Sequence, residues 1–292
     1  MKRWGRVVLG PLTWLSVGVI VFALLELVPG DAVGVELGLR GTAADREALR
    51  AALHLQGGPL QRLVTFLLHL GVLDFGRSLV DGRSVLGKIG ERVPTSALVG
   101  MSALALSWSL AVPLALWRRR GAITWLMAAL YAVPVPALAM TLLAIGAPYG
   151  LSLGSILAAA ICLLPWLLPR IHAQVARGLD ESLATDAMQA LRATGASPAR
   201  IARAALRVQA FRLLTLLGAQ VPALLSGVVL VEAIFGIPGL GLLATDALAA
   251  RDRPVLLGLA LFGALLTIVT SALVDVAAPW LDPRLRSLPE RT

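Results

Sequence analysis

The chain is short of the side chains from which active sites are assembled. Its 292 residues hold one cysteine, Cys162, so no internal disulfide can form. The apolar run around that cysteine makes it a small buried hydrophobe. The three histidines, His54, His69 and His172, stand far apart without ligand spacing and give no basis for a metal centre. Only 15% of the residues are charged. No paired carboxylates and no serine–histidine arrangement lie inside the apolar stretches to suggest a hydrolase working in the membrane. A phosphate-binding loop is missing too. Gly82-Arg83-Ser84-Val85-Leu86-Gly87-Lys88 spells G-x-x-x-x-G-K, but Ile89 stands where a hydroxyl must ligand Mg²⁺, and no hydrophobic strand precedes it. The chain is expected to carry no catalytic residue, no metal and no nucleotide hydrolysis of its own.

What the chain does have is apolar length. It is 58% hydrophobic with a mean hydropathy of +0.82, the composition of a membrane protein. The formal charge of +9 does not point to nucleic acid. The arginines cluster beside apolar runs, as expected where basic residues hold loops in the cytoplasm.

Taken in order, those runs predict six spans with both termini cytoplasmic. Lys2, Arg3 and Arg6 precede Val7–Val28, 22 residues without a small-x-small cleavage site, read as a retained first span with Glu26 reaching the interface. Residues 29–95 form the external segment. From Asp31 to Arg92 they carry eight basic and seven acidic residues, without a cytoplasmic bias. Amphipathic helices are expected there at Ala43–Leu55 and, near the membrane surface, at Leu60–Leu73. Ser96–Trp117 is the second span, closed by Arg118-Arg119-Arg120. The 49 uncharged residues from Gly121 to Pro169 fit two spans joined at Ala147-Pro148-Tyr149-Gly150, with kinks expected at Pro134, Pro136 and Pro165. Leu213–Val231 and Pro254–Val274 are the fifth and sixth. Asp275, at the end of the last, reads as an interface or packing group. The transmembrane core runs over residues 96–280, and 281–292 form a cytoplasmic tail.

Between the fourth and fifth spans lies a polar island, residues 170–212, with seven arginines against Asp180, Glu181 and Asp186. Glu181–Arg192 predicts one helix of good formers. Gly195 falls where a left-handed residue ends it, Ser197 where a cap starts the next, and Pro198 in that helix's first turn. Further on, Phe235-Gly236-Ile237-Pro238-Gly239-Leu240-Gly241 cannot be a regular helix. It reads either as a re-entrant element capping the outer mouth or as a plain external loop, followed by a helix over Leu242–Ala250. Glu232 and Asp246 flank it, either positioning that element or simply hydrated.

Gln189-Ala190-Leu191-x-x-x-Gly195 resembles the EAA-x-x-x-G loop in the membrane subunits of ATP-driven bacterial importers. Gln189 replaces the glutamate, and Ala204-Ala205-Leu206-Arg207 lacks the proline of the family's tail. Several further stretches resemble the first (B-type) permease of dipeptide, oligopeptide and nickel importers. They are Val28-Pro29-Gly30-Asp31, Asp74-Phe75-Gly76-Arg77-Ser78, Glu91-Arg92-Val93-Pro94-Thr95, Val231 through Gly241, Ala250-Arg251-Asp252-Arg253-Pro254-Val255, Leu273-Val274-Asp275 and Leu281-Asp282-Pro283-Arg284.

The resemblance implies an all-α, MetI-like permease of the type I importer class, set in a bacterial plasma membrane. It implies four kinds of partner: a second homologous permease, two ATPase subunits that bind the ATP and Mg²⁺, an extracytoplasmic substrate-binding protein, and the lipid bilayer. Asp186, Gln189, Ala190, Leu191, Gly195, Ser197 and Pro198 fall to ATPase coupling. Glu232, Phe235, Gly236, Pro238, Gly239 and Gly241 are the gate candidates. The cargo is a peptide, nickel or a metal chelate. The rival readings are an exporter subunit, which would want longer cytoplasmic helices, and a membrane-embedded enzyme, which would want converging titratable groups.

Overall fold

The computed structural model describes residues 3–27, 58–71, 74–117, 120–146 and 156–281. Among these the regular structure is helical, apart from one isolated antiparallel bridge between Arg77 and Ser84. The expected helix at Ala43–Leu55, the turn at Ala147–Gly150 and the tail from Asp282 lie outside the described residues.

Five helices are long and apolar enough to cross a bilayer. They are α1 (Arg3–Leu27), the long α3 (Val85–Leu116), α6 (Ile156–Leu183), α9 (Ala210–Phe235) and α11 (Arg253–Leu281). The third expected span is broken. Helices α4 (Arg120–Tyr131) and α5 (Val135–Gly146) meet at 82° around Ala132–Pro134, and together they pass the same test. Two prolines within three residues explain the break, because each removes a backbone donor and clashes with the preceding turn. By contrast α6 runs through Pro165 and Pro169 as one helix. The second span is longer than its uncharged stretch. Helix α3 starts at Val85, eleven residues before Ser96, and so takes in Lys88, Glu91 and Arg92.

The chain divides into two compact units. The first comprises the described residues up to Ser96 together with Pro238–Ile268. Here α2 (Pro59–Gly71), the expected amphipathic helix, packs on α1, with Phe22 stacked on Phe66 at 5.5 Å. The indole Nε1 of Trp14 donates to the Leu261 carbonyl at 3.0 Å. Glu26 pairs with Arg62 and, at 3.4 Å, with Arg253, so its charge is compensated within the protein.

The second unit comprises Ala97–Ile237 and the described residues from Val269 onward. Its centre is α6, against which α4, α5, α9 and the short helices α7 (Asp186–Ala193) and α8 (Pro198–Val208) pack. Leu163, Leu167, Ile171 and Val175 recur every fourth residue along α6, and each is at most 1% exposed. That spacing puts them on one face. In lipid this burial gains little transfer energy, because the alternative surroundings are also apolar. Close packing carries the association, helped by the small run Ala158-Ala159-Ala160.

Candidate functional site

The polar island is not all loop: residues 170–183 prolong α6 beyond its expected end at Pro169, and 210–212 open α9. The part between folds into a hairpin of two short helices that starts where α6 stops. The Thr185 hydroxyl turns back onto the Ser182 carbonyl at 2.7 Å, a local side-chain bond that competes with the helical ladder. Thr185 itself is extended (φ −72°, ψ 149°) and begins α7. One continuous helix over Glu181–Arg192 is therefore incorrect. Glu181, Ser182 and Leu183 finish α6, and Thr185 separates them from Asp186. Asp186 in the first turn of α7 and Arg192 in the last complement the helix dipole.

The rest of the hairpin follows its sequence pattern. Thr194 closes α7, and Gly195 stands at φ +75°, the left-handed position where a side chain is strained. Ser197 is extended, its hydroxyl accepts the Arg200 amide at 3.4 Å, and Pro198 opens α8. Asp186, Gln189, Ala190, Gly195, Ser197 and Pro198 are all exposed, while Leu191 is half-buried beside the buried Met188. All seven coupling candidates thus share one hairpin, with Leu191 turned toward the core. On α8, Arg200, Arg203 and Arg207 are exposed and Ala205 is fully buried.

The gate candidates lie at the other end of α9. That helix ends at Phe235, and Gly236 caps it in the left-handed conformation at φ +65°. The Ile237 amide then donates to the Glu232 carbonyl at 3.0 Å, closing the turn. Glu232 is fully buried and Phe235 nearly so, whereas Gly236 is exposed. The reading of Glu232 as a hydrated loop carboxylate is therefore incorrect: it belongs to the last turn of a packed helix. Beyond Ile237 the chain enters the other unit. There Pro238 is exposed, Gly239 precedes α10 (Leu240–Ala249), and Gly241 is buried. The Leu240 amide donates to the buried Ser96 hydroxyl at 2.8 Å. The helix expected over Leu242–Ala250 thus starts two residues earlier, because Gly239 and Ser96 supply its N-terminal geometry. Asp246 is exposed, as a hydrated carboxylate would be.

One polar network escaped the sequence reading. The Ser78 hydroxyl donates to a carboxylate oxygen of Asp252 at 2.5 Å, and the Leu79 amide donates to the other at 3.2 Å. Ser78 and Asp252 are both buried, 174 residues apart in sequence. The Lys88 ammonium donates to Asp81 at 2.8 Å and to the Ser78 hydroxyl at 3.3 Å. It thereby holds the Asp81 carboxyl well below the usual range, at about 2. The phosphate-loop spelling therefore serves a turn and a helix start. Gly82 is left-handed, Ser84 accepts the Gly87 amide, and Lys88 is engaged by its neighbours. The only clue in the sequence was that Ser78 and Asp252 each fall in a quoted stretch.

Five long apolar helices and a broken sixth define a multi-pass membrane protein. The chain belongs to the family of binding-protein-dependent transport system inner membrane components, matched over residues 96–287. It is 30% identical to a probable peptide ABC transporter permease of Sinorhizobium fredii, over 92% of this chain and 94% of that one. It is 28% identical to a dipeptide transport system permease of Bacillus subtilis, over 94% of each. It is 30% identical to a glutathione transport system permease of Pectobacterium atrosepticum, over 94% of this chain and 95% of that one.

Proposed function

We propose that this chain is one of two permease subunits of an ATP-driven peptide importer in a bacterial plasma membrane, with both termini cytoplasmic. The observation that carries this reading is the arrangement on α9. An exposed hairpin precedes the helix, and a glycine-built turn ends it 26 residues later. At 1.5 Å per residue that is about 39 Å, enough to join the two faces of a bilayer. On this reading α7 and α8 dock on a cytoplasmic ATPase through Asp186, Gln189, Ala190, Leu191, Gly195, Ser197 and Pro198. ATP and Mg²⁺ are bound by the two ATPases, not by this chain.

The turn formed by Phe235, Gly236, Pro238, Gly239 and Gly241 takes the role of the outer gate. Glu232 holds the helix end that feeds it. Helix α10 has ten residues, too few to cross a bilayer, and four of them are buried, which favours a re-entrant element over a free loop. Closure of the ATPases moves the hairpin, and α9 carries that motion to the gate, so that the passage opens to one face at a time. The segmentation follows: residues 1–28 anchor, 29–95 face outward, 96–280 form the transport core with its coupling loop at 170–212, and 281–292 are a cytoplasmic tail.

Cargo choice falls to the external binding protein, because holding a charged peptide in an apolar passage carries a large desolvation cost. The relatives' names favour peptides as cargo over nickel. The test is co-purification from membranes with a tag on this chain. ATPases, a second permease and a binding protein recovered together support the reading. Recovery of ATPases alone, or of none of these, overturns it.

A further inference from the structure

Helices α8 and α9 are separated by a single residue, Gln209, whose backbone serves both. Its amide donates to the Ala205 and Leu206 carbonyls at 3.3 and 3.2 Å, and its carbonyl accepts the Leu213 amide at 2.9 Å. The dihedrals, φ −94° and ψ −1°, lie away from the helical mean, so this is a bend through which hydrogen bonding continues. The side chain is buried, 5% exposed, which is rare for glutamine. It lies on α6 at Gly178, where a Cβ would stand 1.9 Å from the Gln209 Oε1 and 2.8 Å from its Cδ. Glycine inside a long helix is unfavourable, and here it makes room for this amide. Neither amide atom has a hydrogen-bond partner among the described residues. The contact is therefore one of shape, the side chain filling the space that the glycine leaves.

We propose that Gln209 seated on Gly178 is the joint through which the coupling hairpin drives α9, a positioning residue for energy coupling. The proposal rests on the reading of α7 and α8 as the ATPase-docking hairpin. It makes Gly178→Ala damaging, although alanine is the better helix former. It also makes Gln209→Ala a repair of that damage, because the methyl then occupies the space the amide has left.

The experiment uses the assembled transporter in vesicles. It measures basal hydrolysis, hydrolysis stimulated by the loaded binding protein, and the ATPase recovered with each variant. Gly178→Ala is expected to retain the ATPase and basal rate while losing stimulation about tenfold, the scale of one methyl of core overlap. The double variant Gly178→Ala/Gln209→Ala is expected to regain at least about half of the stimulation, by the same steric argument. Undiminished stimulation in Gly178→Ala overturns the proposal. So does a double variant no better than the single. Loss of ATPase recovery in Gly178→Ala that Gln209→Ala does not repair makes the contact a folding constraint, and overturns it too. A wild-type transporter that neither recovers ATPase nor responds to binding protein overturns the parent reading, and the joint with it.

Discussion

The loop before α3 and the loop before α8 are written in the same local grammar and put to opposite uses. Each has a left-handed glycine two residues ahead of a serine, Gly82 with Ser84 and Gly195 with Ser197. In each, the serine hydroxyl accepts the amide three residues on, at 3.4 Å. What surrounds them differs. Around Ser84 the charges close on their own chain, Lys88 on Asp81, Arg83 on Glu91 and Ser78 on Asp252. Around Ser197 the side chains of Arg192, Arg200, Arg203 and Arg207 are exposed and form no ion pair among the described residues. The turn chemistry fixes a shape in both places. The disposition of charge then decides whether that shape is sealed internally or left open at the surface, where the proposed function has it meet another protein.

The sealed loop is where substitution should cost most. Asp252→Ala leaves the Ser78 hydroxyl and the Leu79 amide without their acceptor in a buried site. Bonds to a charged group are worth roughly 1.5–3 kcal/mol each, so the loss is about 3 kcal/mol. It should appear as a lower thermal midpoint in detergent. Asp252→Asn, which keeps an acceptor oxygen, should recover part of it. An unchanged midpoint in Asp252→Ala would remove the contrast between the two loops.

At the open loop the effect should be smaller and of another kind. Nothing lies within 4 Å of a Cβ built on Gly195, so Gly195→Val is penalised only through its positive φ. That strain is about 1–3 kcal/mol and stays within the hairpin. Insertion and thermal midpoint should hold, while stimulated ATP hydrolysis and transport fall. Full transport by this variant would reduce the hairpin to a connector.

The smallest effect is one of pH. The Asp81 carboxyl sits at about 2, below its ordinary 3.8, because the Lys88 ammonium donates to it. A carboxyl depressed by folding adds stability above the unfolded value, and that contribution fades as pH falls through the folded one. Stability should therefore be flat in this contribution above about pH 4 and decline between about 4 and 2, the range set by those two values. Asp81 is partly exposed, so solvent screening keeps the amplitude under about 1 kcal/mol. Asp81→Asn should flatten that slope. A slope that survives the substitution would assign the acid sensitivity to other carboxylates.

Legibility in the sequence followed the range of the forces involved. Gly195, Ser197, Pro198 and Gly236 were readable because a turn or a cap is decided by a few neighbouring residues. The six apolar stretches were readable because bilayer thickness sets their length. Helix ends were less so. Thr185 breaks the α6 ladder by bonding to Ser182, and the propensities of Glu181–Arg192 give no sign of it. Helix α3 starts at Val85 because Ser84 and the Gly76–Arg83 turn hold it there, before the polar residues cease. For Glu232 the sequence left two readings open, a positioning group or a hydrated loop carboxylate, and only tertiary packing, which buries it, removes the second. The Ser78–Asp252 bond joins residues that only the folded chain brings together.

The length of α9 has a bearing on leakage. A passage that admitted solute from both faces at once would dissipate the gradients across the membrane, so its two ends have to keep phase. On the function proposed above, phase is a matter of stiffness. The Gly236 turn ends α9 and the hairpin joins its start through the bend at Gln209, so a displacement of one is passed along a single helix to the other. Within α9 itself the soft point is Pro222, which withholds a donor from the ladder twelve residues after the helix begins. On that reading, slippage beyond the Gln209 joint would fall there, close to the middle of the span.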